Sequence, residues 1–282
     1  MSMRVAVTGA EGFVGSHLMT ALEADGHTAV SLGPVNEVDI RDRAEVRRRL
    51  ADLAPDRIVH LAAVSGPMLF SEEPEFVMHV NGVGTVNVLE AAKQLDAPVV
   101  LASSVSVATE GSASAPRPAS VYGVTKRLAE LLGELYRNEF GLPCTAVRIG
   151  SVYGAGRQTE HVIDSMIDDA ITHRTVSYSG TAHEPLVHVR DAASLLAALV
   201  GAQQSWQERY DLVTTPITHE DLAHVVCDVA NNGAIPSPVD RTGYSWPITF
   251  DSTALYEDTG SAYAVDVQTG VAEVFDAHRD RS

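Results

Sequence analysis

Cysteine is almost missing from this chain of 282 residues, with Cys144 and Cys227 the only two. They are too few and too far apart for a disulfide framework or a zinc site, so each reads as a small apolar residue of the interior. Positive charge is also short, with 20 basic residues against 37 acids and a formal charge of −17. Such a field repels polyanions and leaves little material for a surface that tracks phosphates, which excludes nucleic acid as a partner. No stretch approaches the ~20 apolar residues needed to span a bilayer, and the opening MSMRVAVTGA lacks a charged leader with a long apolar run behind it. A cytoplasmic protein with no membrane partner is expected. The 11 histidines are scattered, without His-x-x-x-His or carboxylate spacing, so no metal site is expected. Lysine is the scarcest charge: Lys93 and Lys126 are the only ones. Where a lysine stands in so arginine-rich a chain, an ammonium rather than a guanidinium is wanted.

What is present is a core. At 45% hydrophobic residues the chain can bury a large one. Apolar runs alternate with helix-period stretches. Strands are expected at Arg4 to Thr8, Thr28 to Leu32, Arg57 to Leu61, Val99 to Ala102, Cys144 to Ile149 and Arg209 to Val213, with helices at Gly15 to Ala24, Arg43 to Leu53, Glu75 to Gln94 and Tyr122 to Phe140. That alternation predicts an α/β fold, a doubly wound parallel sheet covered on both faces. The Ala-Ser-Pro-rich stretch from Gly111 to Ser120 reads as a loop, Arg47-Arg48-Arg49 as a solvated helix face, and His188 as a packed mid-strand residue.

The first chemical motif is Gly9-Ala10-Glu11-Gly12-Phe13-Val14-Gly15, which joins the first strand to the first helix. Backbone N–H groups of such a turn and the helix N-terminus can hold a pyrophosphate, so the turn predicts a dinucleotide site on a Rossmann fold. Residues 1–160 then form the dinucleotide-binding part, completed by elements around 186–215. Residues 161–282 form a mainly substrate-binding region interleaved with it. An acidic residue is expected at the end of the second strand to bond the adenosine ribose, but Gly33 and Pro34 stand there. No arginine follows at once to neutralise a 2′-phosphate, so NAD is favoured over NADP without NADP being excluded. Glu37 or Asp39 could reach in from the next loop. In the segment Val38 to Asp42, a carboxylate against the adenine amino edge and a helix N-cap at Asp42 fit equally well.

The second motif is Tyr122-Gly-Val-Thr-Lys126, whose spacing puts a phenol and an ammonium on one helix face. The ammonium is expected to lower a phenol pKa that is about 10 when unperturbed and to fit the tyrosine for acid/base work. The third is Ser103-Ser104-Val105-Ser106 at the carboxyl end of an apolar strand, where ligands bind in open α/β sheets and where Ser104 could bond a substrate oxygen.

These motifs, with Asp39-Ile40, His60-Leu61-Ala62-Ala63, Asn81-x-x-Gly-Thr and Val187-His-Val-Arg-Asp191, make the first 200 or so residues resemble an extended short-chain dehydrogenase/reductase of the NAD-dependent epimerase/dehydratase family. The resemblance implies a catalytic trio of Ser104, Tyr122 and Lys126. It implies cofactor contacts from Gly9, Glu11, Gly12, Phe13, Val14, Gly15, Asp39, Ile40, Leu61, Ala62, Ala63, Asn81, Ser103, Tyr122, Lys126, Ile149, Ser151 and Val152, and substrate contacts from Ser65, Ser104, Ser106 and Arg157. Tyr122 would take the hydroxyl proton as hydride leaves the carbinol and return it in the reverse half; an epimerase runs both halves on one cofactor.

Departures from the family narrow the reaction on a sugar or nucleotide-sugar. Val105 and Ser106 stand where dehydratases carry acids, which disfavours dehydration. Glu184 stands where nucleotide-sugar epimerases commonly carry a diphosphate-gripping arginine, a role that Arg174 could take after a short shift, and Ala108-Thr109 replaces a usual Tyr-Gly. The short stretch from Leu32 to Ile40 is similar to dehydrorhamnose-type nucleotide-sugar reductases. Arg148-Ile-Gly-Ser151 resembles uronate dehydrogenases, in which case Arg157 could pair with a substrate carboxylate. Leu128, Leu131, Leu132 and Leu135 on the tyrosine helix predict a homodimeric helix bundle, although core packing would give the same pattern. A non-catalytic dinucleotide sensor is the reading from another class, and the intact trio argues against it.

Overall fold

The computed structural model describes residues 2–112, 115–180, 182–202, 205–240, 246 and 250–280. In chain order the elements are β1 (Arg4–Thr8), α1 (Phe13–Ala24), β2 (Thr28–Ser31), α2 (Arg43–Leu53), β3 (Arg57–His60), α3 (Pro74–Met78), α4 (Gly84–Leu95), β4 (Val99–Ser104), β5 (Glu110–Ser112), β6 (Ala115–Arg117) and α5 (Val121–Phe140). There follow β7 (Cys144–Ile149), β8 (Ser151–Tyr153), α6 (Val162–Thr172), β9 (Thr175–Ser179), β10 (His183–His188), α7 (Val189–Gly201), β11 (Arg209–Leu212), β12 (Thr215–Thr218), α8 (His219–Ala230), β13 (Ile235–Val239), α9 (Thr253–Thr259) and α10 (Val267–Arg279).

Six strands form the main sheet in the order β11-β7-β4-β3-β1-β2, every neighbouring pair parallel. Successive side chains of a strand point to opposite faces, and both faces here are covered, so the strands are apolar throughout. Val5 and Val7 join Leu18 of α1 and Leu196 of α7 in one core, while Ala6 joins Leu50, Leu89 and Tyr136 of α2, α4 and α5 in the other. A third core gathers Ile163 and Ile167 of α6, Leu222 and Val226 of α8, and Val271 and Phe275 of α10 beside the main sheet. The chain order reverses around β1, which lies between β2 and β3, so a crevice opens beyond the carboxyl ends of these strands.

All six expected strands are present, and the fold is the expected doubly wound parallel sheet. The expected helix from Glu75 to Gln94 is interrupted by a π-helical turn, His79–Val83, that carries Asn81. Where a loop was expected at Gly111 to Ser120, β5 and β6 pair antiparallel as a short hairpin. His188 ends β10 and caps α7, its Nδ1 accepting from Arg190 N at 3.3 Å, so it is packed as expected but not mid-strand. Asp42 caps α2 by accepting from Ala44 N and Glu45 N. Cys144 is buried and Cys227 half-buried, both as free thiols. No helix among the described residues is long and apolar enough to cross a membrane.

Candidate active site

The glycine turn sits at the carboxyl end of β1. Gly9 has φ +70°, a region that L side chains avoid, and a Cβ on Gly15 would lie 2.0 Å from Gly9 O. Glycine at 15 therefore lets α1 rest directly on the turn. Gly12 is the N-cap of α1, no side chain caps the helix, and no acid occupies its first turn. Its leading N–H groups and the positive end of its dipole are left to face an anion.

A buried polar chain supports the neighbouring strand end. Thr8 Oγ1 lies 2.8 Å from His60 Nδ1 and accepts from Ala62 N at 3.0 Å, while His60 Nε2 lies 3.1 Å from Thr85 Oγ1. Thr85 donates onward to Asn81 O at 2.6 Å. The Asn81 amide holds both backbone groups of Val64, accepting from its N at 2.8 Å and donating to its O at 3.1 Å, and also donates to Thr125 Oγ1. One interior carboxamide, presented by the π turn, thus fixes the segment from Leu61 to Ser65 against α5. Burial, with the Lys126 charge adding to it, pushes His60 down to about 3, so the imidazole is a neutral brace.

Ser120 caps α5 and sets its first turn, where Tyr122 lies half-buried. Ser104, from the end of β4, and Ser65, from the segment that Asn81 holds, lie near enough to the phenol to favour its ionised form. Lys126 is buried, donates to Ala102 O at 2.8 Å, and holds its Nζ 5.7 Å from the centre of the Tyr122 ring. The expected lowering of the phenol pKa is not what the structure gives. Burial pushes Tyr122 up, outweighing the Ser104 and Ser65 hydroxyls and the charge of Arg157, and burial draws Lys126 down to about 8. Desolvation penalises both charged forms, which the helix spacing alone does not reveal.

The remaining expected site residues divide by where they point. Ser103 and Ser104 alternate across β4. Ser104 Oγ accepts from Ser106 N at 3.1 Å, whereas Ser103 donates its hydroxyl to Glu130 of α5 at 2.7 Å. Asp39, half-buried, is paired with Arg41 at 2.6 Å, and Ile40 is buried with its carbonyl held by Asn87. Ile149 closes β7, and Ser151 and Val152 lie on β8 beside β10. Ser151 Oγ is 2.9 Å from Nε2 of His161, a buried histidine that caps α6 and that burial pushes down to about 3. Arg157 donates through Nε to Thr159 and through Nη1 to Val152 O, and its charge is felt by Tyr122, Asp164 and Glu184. Glu184 itself lies 3.3 Å from His219 Nε2. Arg174 is exposed in the α6–β9 turn with φ +51°.

Sequence reading missed three supports. Burial pushes Glu130 up, but Arg148, Ser103 and Arg127 outweigh it and hold the carboxyl below its ordinary value. Arg148 Nε meets Glu130 Oε1 at 2.7 Å, both side chains almost wholly buried. Their one signal was helical spacing, since Glu130 stands one turn after Lys126. Arg49, taken with the solvated face of α2, instead turns its Nε to Leu32 O at 3.3 Å at the end of β2.

An uncapped helix N-terminus on a glycine turn, followed by a buried ammonium that spends one of its three donors on Ala102 O, fits a dinucleotide. The pattern that defines the NAD dependent epimerase/dehydratase family matches residues 5–212. The chain belongs to that family. It is thereby an extended short-chain dehydrogenase/reductase. Among relatives of this family, a UDP-glucose 4-epimerase of Mycolicibacterium smegmatis is 28% identical, with 99% of this chain and 100% of that one covered. A probable UDP-glucuronate 4-epimerase of Rhizobium meliloti is 30% identical over 96% of this chain and 95% of that one. The fold is also that of the Thermus thermophilus UDP-glucose 4-epimerase complex with NAD, with a TM-score of 0.81, 24% identity, and 98% and 99% of the two chains covered.

Proposed function

We propose that this protein interconverts epimers of a nucleotide-linked sugar by NAD-dependent hydride transfer, with Tyr122 as the general acid/base. The observation that carries the reading is the Tyr122 phenol with the Lys126 ammonium 5.7 Å from its ring centre on the same helix face, beside the Ser104 and Ser65 hydroxyls. Two relatives matched over nearly their whole length, both named as 4-epimerases of UDP-sugars, support the substrate class.

Gly9 to Gly15 and the start of α1 would hold the pyrophosphate, and Lys126 the nicotinamide ribose. When bound, the nicotinamide supplies a reversible hydride acceptor and, while oxidised, a positive charge that favours phenolate. Tyr122 as phenolate takes the proton of the substrate hydroxyl, and as phenol it returns that proton to the carbonyl oxygen. Ser104 fixes that oxygen by a hydrogen bond. No carboxylate follows Ser104, so nothing at that position is ready to eliminate water. The region built from α6, α8 and α10 would hold the rest of the substrate, with Ser106 and Arg157 on its near side.

The test combines two measurements. Denaturing the purified protein should release NAD, and UDP-glucose or UDP-glucuronate should yield its C4 epimer by NMR. Tyr122→Phe should keep nucleotide binding and lose about 10²- to 10⁴-fold in turnover; full turnover in that variant would overturn the assignment. Glu184, standing where a diphosphate-gripping arginine is usual, favours a second reading in which Arg157 pairs with the carboxylate of a free sugar acid. In that case protein purified empty would reduce added NAD with a uronate.

A homodimer is part of the proposal. Val124, Leu131 and Leu135 of α5 are 46%, 46% and 47% exposed, next to exposed Met78 and Val83. Core packing does not account for these positions, and a continuous apolar face of this kind is what a second copy covers. Free Cys144 and Cys227 fit the reducing cytoplasm.

A further inference from the structure

The strand end that should carry the ribose-binding acid has Gly33, yet a carboxylate stands there all the same. Ser31, the last residue of β2, donates its hydroxyl to Glu11 Oε1 at 2.6 Å and accepts from Gly33 N at 3.0 Å. One serine thereby ties the glycine turn to the strand end and presents an exposed carboxylate between them. We propose that Glu11 replaces the missing acid of β2, takes the adenosine ribose diol, and selects NAD over NADP. The inference rests on the dinucleotide reading above and adds the residue that decides which dinucleotide.

The chemistry follows from donor and acceptor counts. An ionised carboxylate only accepts, which suits two ribose hydroxyls and rejects a phosphate ester that would set more negative charge beside it. The fold does not make the choice. Thermus thermophilus UDP-glucose 4-epimerase holds NAD and Pseudomonas aeruginosa RMD holds NADPH, at TM-scores of 0.81 and 0.85 to this chain. Arg49 is the counterweight, with its Nη2 3.4 Å from where a Cβ on Gly33 would stand. Its Nε is occupied by Leu32 O, and it approaches from α2, whereas Glu11 belongs to the turn that would meet the pyrophosphate. A ribose reached from that turn would therefore meet the Glu11 carboxylate first.

Equilibrium binding of NADH and NADPH, followed by nicotinamide fluorescence without substrate, tests this on the full chain and on Glu11→Gln, Glu11→Ala and Arg49→Ala, each first stripped of any nucleotide retained through purification and refolded. Wild type should bind NADH at least about tenfold more tightly than NADPH, the scale of a hydrogen bond to a charged group. Both Glu11 variants should weaken NADH and strengthen NADPH until the preference is gone, whereas Arg49→Ala should keep it. An unchanged ratio in Glu11→Ala, or a wild-type preference for NADPH that Arg49→Ala removes, overturns the assignment. A wild-type chain that binds neither nucleotide overturns the dinucleotide reading itself, and this inference with it.

Discussion

His60 and His161 show at the residue scale how the interior handles titratable groups. Each is buried, and burial is the largest cause that holds each imidazole near 3 against 6.5 for an unperturbed histidine. Between those values the unfolded chain binds a proton that the folded one refuses. Stability is therefore fully present above pH 6.5 and falls as pH drops through that window, by up to about 1.4 kcal/mol per pH unit for each histidine. Urea unfolding should show a falling midpoint from pH 7 to pH 5. His161→Asn keeps an acceptor for the cap of α6, and should remove about one proton from the slope; an unaltered slope would show that His161 is not titrating as argued. Neither role could be read from sequence, because a histidine after a strand or before a helix is unremarkable until its surroundings are known.

At the scale of elements, α5 and the end of β4 can carry the proposed chemistry only if they keep register. Two adjacent ties hold them: Lys126 to Ala102 O, and Glu130 to Ser103 and to Arg148, the register partner of Ser103 on β7. Removing one member of a buried ion pair strands the other. Glu130→Ala should therefore cost about 3–5 kcal/mol in urea unfolding, while Glu130→Met with Arg148→Met should cost far less. Equal losses in the two would mean that the pair is not the tie described. The elements themselves were legible, since strand and helix periods, the Asp42 cap and the glycine turn are local features. The π turn and the β5–β6 hairpin were not: the first depends on Asn81 finding Val64 and Thr125, and the second on pairing across an Ala-Ser-Pro-rich stretch whose composition suggests only a loop.

At the scale of the molecule, a chain of net charge −17 still leaves apolar side chains of α5 in water, among them Leu131 and Leu135. Leu131→Glu combined with Leu135→Glu should convert the proposed dimer to a monomer by light scattering with little loss of fold, because both side chains are about half exposed. A wild-type chain already monomeric at micromolar concentration would refute the interface. The doubly wound fold, the glycine turn and the pairing of Tyr122 with Lys126 were determined by the sequence alone, because they rest on periodicity and on spacing within one or two turns of chain; Ser104, on β4 rather than α5, joined them only through the family resemblance. The tertiary structure decided what comes from a distance. It brought Ser65 and Arg157 to Tyr122, and Glu11 and Arg49 to the end of β2. It set burial above the Lys126 charge in tuning the phenol, because desolvation depends on every element packed around a group and not on its neighbours along the helix.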